Sequence, residues 1–163
     1  MYSAYISDLT HIVNGVTTAR YFPLASGYLA SYAKKHFGDT IDVEIFKYVE
    51  DLDKAFDRKI PNFLCMSIYS WNFHLAYTFA KRAKEIYPEI ITIFGGPNFP
   101  TCAEEQVSFL KKYSAIDFFI YGEGEEAFVG LLEKLMEAEL NSSNIKDQAK
   151  AINNCCFLRK ESL

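Results

Sequence analysis

Short apolar runs alternate along this chain with longer stretches whose apolar residues recur at helical spacing, and this alternation restricts the fold more than any other feature. A strand followed by a crossover helix returns the chain in its original direction, so the sheet is expected to be parallel and covered on both faces. Strands are predicted at Ser3–Ser7, Ile41–Lys47, Phe63–Ser67, Ile90–Phe94 and Asp117–Tyr121, each rich in β-branched and aromatic residues. Between them, "PLASGYLASYAKKHF" opens with Pro23 at its first helical position and stops before Gly38. "DLDKAFDRK" carries acidic residues in its first turn, where the helix dipole favours them. "NFHLAYTFAKRAKEIY" sets Phe73, Ala76, Phe79, Ala80 and Ala83 on one face and ends before Pro88. "CAEEQVSFLKKY" and "GEEAFVGLLEKLMEAEL" supply two more helices. The polar segment Asn141 to Lys150 is expected to be a loop, and "AINNCCFLRK" a further strand. The expectation is an α/β, doubly wound, Rossmann-like (flavodoxin-like) three-layer sandwich with a five-stranded parallel sheet and an extra C-terminal strand. Residues 1–140 form the domain, and 141–163 a polar loop and terminal strand leading onward.

A chain of 163 residues, half of them apolar, suits one domain with a sizeable core. A formal charge of −4 without a long Lys/Arg run argues against nucleic acid as a partner. The opening "MYSAYISDLTH" lacks a basic region followed by an apolar stretch, and no window is long and apolar enough to span a bilayer, so a cytoplasmic protein with no membrane partner is expected. Cys65, Cys102, Cys155 and Cys156 show neither Cys-x-x-Cys spacing nor a repeated framework, so neither a zinc site nor a disulfide scaffold is indicated. Adjacent residues of a strand point to opposite faces, which makes joint metal ligation by Cys155 and Cys156 awkward.

In open doubly wound sheets ligands bind beyond the carboxyl ends of the strands, and three stretches fall there. "FGGPNFP" places Gly95, Gly96 and Pro97 at a strand exit, where two glycines keep side chains away from an approaching ligand. "YGEGEEAF" sets Gly122 and Gly124 around Glu123, with Glu125 and Glu126 opening a helix. Dipole-favoured acidic residues at a helix start explain those carboxylates without a ligand, and their charge disfavours a phosphate cradle. "CMSIYSWNFH" ends a strand at Ser67 and restarts with Tyr69, the chain's one tryptophan, Trp71, and Asn72. Each has a structural explanation: local backbone pairing for Ser67, core packing for Trp71, a helix cap for Asn72. Together at a binding edge they offer a hydroxyl and a flat indole wall.

Taken together, "PLASGYLASYAKK", "CMSIYSWNFHLAYTFAKRAKEIYPEIITIFGGPNFP" and "DFFIYGEGEEAFVGLLEKL" resemble the N-terminal cobalamin (vitamin B12)-binding domain of cobalamin-dependent radical S-adenosylmethionine enzymes. The likeness runs from about Pro23 to Met136 and rests on three motifs in order, strand-Ser-x-Tyr-x-Trp-Asn, strand-Gly-Gly-Pro and strand-Gly-Glu-Gly-Glu. It implies cobalamin as cofactor, its nucleotide tail inserted along the sheet. Ser67 would contact the displaced base of that tail. Tyr69 stands where the family's Ser-x-Leu element has leucine. Gly95 and Gly96 would let the tail pass, and Trp71 and Asn72 would lie near the corrin's lower face. Pro97, Gly122, Glu123 and Gly124 complete the expected cofactor-binding set.

Two departures bear on activity. The Asp-x-His-x-x-Gly element that brings a histidine to cobalt in other cobalamin proteins is missing: Asp8, His11 and Gly15 are present, but each gap is one residue too long. Base-off binding without a histidine ligand is therefore expected, with no protein metal ligand and no catalytic residue in this chain. The sequence also lacks Cys-x-x-x-Cys-x-x-Cys, so an iron-sulfur cluster and S-adenosylmethionine would belong to a separate radical SAM barrel. The expected function is the cobalamin-binding module of such an enzyme, a methyltransferase or a rearrangement enzyme. The alternative is a degenerate domain of the same fold that binds no cofactor and serves as an interaction module, its channel filled by Tyr69, Trp71 or the loop before Pro23. A bulky residue at Gly96 is expected to abolish binding and leave the fold intact.

Overall fold

The computed structural model describes residues 1–13, 16–17, 22–148 and 152–159. Strand β1 (Tyr2–Thr10) runs longer than its apolar stretch, and a small antiparallel ribbon follows it, β2 (Ile12–Val13) with β3 (Val16–Thr17), which the sequence does not announce. Helix α1 (Leu24–Phe37) begins one residue after Pro23 and ends at Gly38, whose φ of 56° is a left-handed conformation that glycine adopts without steric cost. Then come β4 (Ile41–Tyr48), α2 (Val49–Arg58), β5 (Phe63–Ser67), α3 (Phe73–Ile86), β6 (Ile91–Gly95), α4 (Ala103–Lys112), β7 (Phe118–Ile120) and α5 (Glu125–Glu137). Helix α6 (Ser142–Gln148) and β8 (Cys155–Cys156) close the described chain.

The strands lie in the order β4-β1-β5-β6-β7-β8, with β1 paired in parallel to β4 and β5, and β5-β6 and β6-β7 also parallel. This is a doubly wound sheet whose winding reverses between β1 and β5, and β8 adds an antiparallel edge strand beside β7. Strand alternation divides the core. Ile6, Cys65, Ile93 and Ile120 face α1 and α5, while Tyr5, Leu64, Met66, Phe94 and Phe119 face α2, α3 and α4. The expected face of α3 is the one buried, through Ala76, Ala80 and Ala83. Cys155 and Cys156 pack against opposite core layers, as adjacent strand residues must.

The segment expected to be a loop contains α6. Asn141 Oδ1 accepts the Asn144 N–H at 3.0 Å, a cap that satisfies an otherwise unpaired helix donor. Ile145 rests on the α1/α5 core, and Lys146 Nζ donates to Asp117 Oδ1 at 3.0 Å. Asp117, just before β7, also accepts from Lys84 of α3 and from the Thr92 N–H and hydroxyl of β6, which ties four elements together at the amino end of the sheet. Among the described residues no helix is long and apolar enough to cross a membrane.

Candidate ligand site at the carboxyl rim of the sheet

At the opposite, carboxyl end of the sheet, the register places Ser67 beside Gly95 and Gly95 beside Ile120. By strand alternation these positions share the face that Cys65 and Ile93 present to α1 and α5. Glycine at the centre of that row leaves a gap where every other residue type would raise a side chain. Above the gap lies a cavity of about 440 Å³, within the range of small-molecule sites. Ile6, Cys65 and Ile93 form its floor, Ala25 and Leu29 of α1 and Phe128 of α5 its walls, and Tyr69, Pro97 and the loop from Gly122 to Glu125 its mouth.

Eight of the sequence-selected residues line this one cavity: Ser67, Tyr69, Gly95, Gly96, Pro97, Gly122, Glu123 and Gly124. Ser67 Oγ has no hydrogen-bond partner among the described residues and is available to a ligand. Glu123 is exposed, Glu125 half-buried, and both stand at the mouth, while Glu126 faces an outer hollow with Tyr32 and Tyr121. A larger hollow, about 570 Å³, lies between α3 and α4, but Glu104, Glu105 and Lys112 wall it and it gathers none of the rim glycines.

Three expectations are corrected. Asn72 does not face the cavity: it is fully buried, its Oδ1 accepts the Tyr69 N–H at 2.7 Å, and its Nδ2 donates to Asp8 Oδ1 at 3.2 Å and to the Ser67 carbonyl at 3.1 Å. It stands at the start of α3, yet its side chain makes no cap bond and fastens the preceding loop instead. Trp71 lies outside the cavity wall, 52% exposed, with its ring parallel to that of Tyr69 at 4.6 Å. Gly96 is held by the fold itself, since a Cβ there would meet the Ile68 carbonyl oxygen at 1.9 Å, and its φ of 152° disfavours any side chain. A bulky residue at Gly96 therefore disrupts the fold.

Asp8 ends in the Asn72 bond, and burial pushes its carboxyl above the usual carboxylate range although Lys47 pulls it down. Gly15, the last member of the histidine element, lies outside the described residues. No group of three or more His, Cys, Asp or Glu side chains among the described residues is placed to hold a metal. The wall residues Ala25, Leu29 and Phe128 escaped sequence reading because at helical spacing an apolar residue facing a cavity looks like one facing a core. Ser26, on α1 between Ala25 and Leu29, is fully buried, and its hydroxyl has no partner in the described structure.

A doubly wound sheet with a glycine-floored cavity at its carboxyl rim defines a ligand-binding domain. The chain belongs to the B12-binding domain family, whose model matches residues 10–132. It is similar to the cobalamin-dependent radical SAM methyltransferase TokK of Streptomyces tokunonensis, 31% identical over 122 residues, covering 72% of this chain and 18% of that protein. It is also similar to the 2-(S-pantetheinyl)-carbapenam-3-carboxylate methyltransferase of Streptantibioticus cattleyicolor, 29% identical over 122 residues, again covering 72% of this chain and 18% of the relative. The match thus spans less than a fifth of the length of these relatives.

Proposed function

We propose that this chain binds cobalamin base-off, with no histidine on the cobalt, as the cofactor module of a radical SAM methyltransferase or rearrangement enzyme. The observation that carries this reading is the Ser67-Gly95-Ile120 row, a cradle that a side chain at the central position would fill, beside a hydroxyl with no partner among the described residues. Ser67 would hold the displaced base, Gly95 would let the nucleotide tail descend to Cys65 and Ile93, and Tyr69 would stand at the mouth beside the corrin. Bound there, cobalamin supplies a cobalt centre that carries alkyl groups, and this chain's residues bind, orient and shield it. Residues 1–140, with α6 and β8 of 141–163 packed on the same sheet, would form the binding domain beside a barrel that holds the iron-sulfur cluster and S-adenosylmethionine. Four free thiols accord with a cytoplasmic, reducing setting.

The interaction-module alternative requires a filled channel. Tyr69 lines the cavity without closing it, Trp71 lies outside, and residues 18–21 of the loop before Pro23 lie outside the described residues, so no observation favours that reading. The test is gel filtration after anaerobic loading with hydroxocobalamin. Co-elution of protein with a base-off absorbance spectrum is expected, and colourless protein at high cobalamin excess overturns the reading.

A further inference from the structure

The channel is chemically one-sided along its depth. Its floor and walls are carbon and one thiol: Ile6, Cys65, Ile93, Ile120, Leu29 and Phe128, with Ile6, Cys65, Ile93 and Phe128 all buried. Burial pushes the Cys65 thiol strongly up, so it stays protonated and behaves as a small apolar group. The strand backbone beneath is already paired within the sheet ladder. Beyond this apolar zone the side-chain polar atoms are the Ser67 hydroxyl, set higher on the sheet, and Tyr69, Glu123 and Glu125 around the mouth.

From this we infer that the site selects among corrinoids by their lower base, accepting a benzimidazole and disfavouring a purine. The inference rests on the tail-in-channel reading above. A benzimidazole freed from cobalt has one unpaired ring nitrogen, and one hydroxyl, that of Ser67, can serve it. The rest of its bicyclic ring is hydrocarbon, matched to the isoleucines and Phe128. Adenine, of similar outline, adds further ring nitrogens and an exocyclic amino group. On the channel floor these meet methyl groups and a thiol, and each buried polar group left unpaired weakens binding.

The test is isothermal titration of the chain with three corrinoids: cobalamin, pseudocobalamin, which carries adenine as its lower base, and cobinamide, which has no nucleotide tail. Cobalamin should bind tightest, with pseudocobalamin weaker by about tenfold or more. Equal affinities for cobalamin and pseudocobalamin overturn the selectivity and leave the cofactor reading standing. Equal affinities for cobalamin and cobinamide overturn the tail-in-channel reading itself, and so does the absence of binding by all three. Cys65→Ser, nearly isosteric, sets a hydroxyl on the floor and should narrow the gap between the two complete corrinoids. An unchanged gap in a folded Cys65→Ser chain would show that the floor does not select, which also overturns the inference.

Discussion

The Ile68 N–H donates to the Gly95 carbonyl at 2.7 Å, and the Ile68 carbonyl oxygen lies where a Cβ of Gly96 would stand, 1.9 Å from it. The loops after β5 and β6 are thus joined backbone to backbone at the rim. The two glycines of "FGGP" separate by role: Gly96 makes that closure possible, and Gly95 leaves the cavity floor open.

Gly96→Ala should therefore cost folding stability, by about 3 kcal/mol or more, because neither the carbonyl nor the left-handed backbone can give way cheaply. Urea unfolding measures it; a variant as stable as the parent would show that the loops are not locked.

Gly95→Val is the better probe of the channel. A Cβ at Gly95 would meet the Ile120 carbonyl oxygen at 3.3 Å, a tight contact that a small shift relieves, so the stability loss should stay under about 1.5 kcal/mol. Cobalamin affinity should fall at least about tenfold, the equivalent of 1.4 kcal/mol. Undiminished affinity in titration would exclude passage of the tail over Gly95.

Asn72 satisfies three groups at once, so Asn72→Ala should cost about 2–3 kcal/mol through the unpaired Tyr69 N–H, Ser67 carbonyl and Asp8 carboxyl. Asn72→Asp keeps the acceptor for Tyr69 but sets a second carboxylate against Asp8. Because the folded-state pKa of Asp8 is raised, its contribution is present below the ordinary carboxylate range and is lost as pH rises through the raised value. The Asn72→Asp defect should accordingly be larger at pH 7 than at pH 5, read from denaturant midpoints at both. A defect independent of pH would mean that the two carboxyls do not meet.

Asp117 has the opposite sign. Burial pushes its carboxyl up, but Lys146, Lys84 and the Thr92 N–H outweigh burial and hold it below the ordinary range. Its stabilisation is thus full above the unfolded-state pKa and lost as pH falls through the lowered folded-state value. Asp117→Asn should cost about 3 kcal/mol at neutral pH, with the difference from the parent closing in strong acid. Thermal unfolding across that range checks it, and a gap that widens toward acid would contradict the assignment.

The order of strands and helices was legible because each element carries its own periodicity, and the face of α3 followed directly from Ala76, Ala80 and Ala83. Helix α6 was not, because its stability comes from the Asn141 cap and the distant Lys146–Asp117 pair rather than from an apolar stripe. At the rim, the sequence singled out loops that line one cavity, since glycines and a serine at strand ends mark a carboxyl rim. It could not assign roles within them. Whether Gly95 or Gly96 faces the cavity depends on register, and whether Asn72 points outward or clamps its own loop depends on Asp8, which lies 64 residues away in the chain.

The proposed bound state is a corrinoid whose base has left the cobalt without a protein nitrogen replacing it. The electron paramagnetic resonance spectrum of cob(II)alamin bound to the purified chain tests this directly. A protein-bound, base-off signal without nitrogen splitting is expected. A bound signal split by a nitrogen ligand, from the cofactor's own base or from His11, would contradict it.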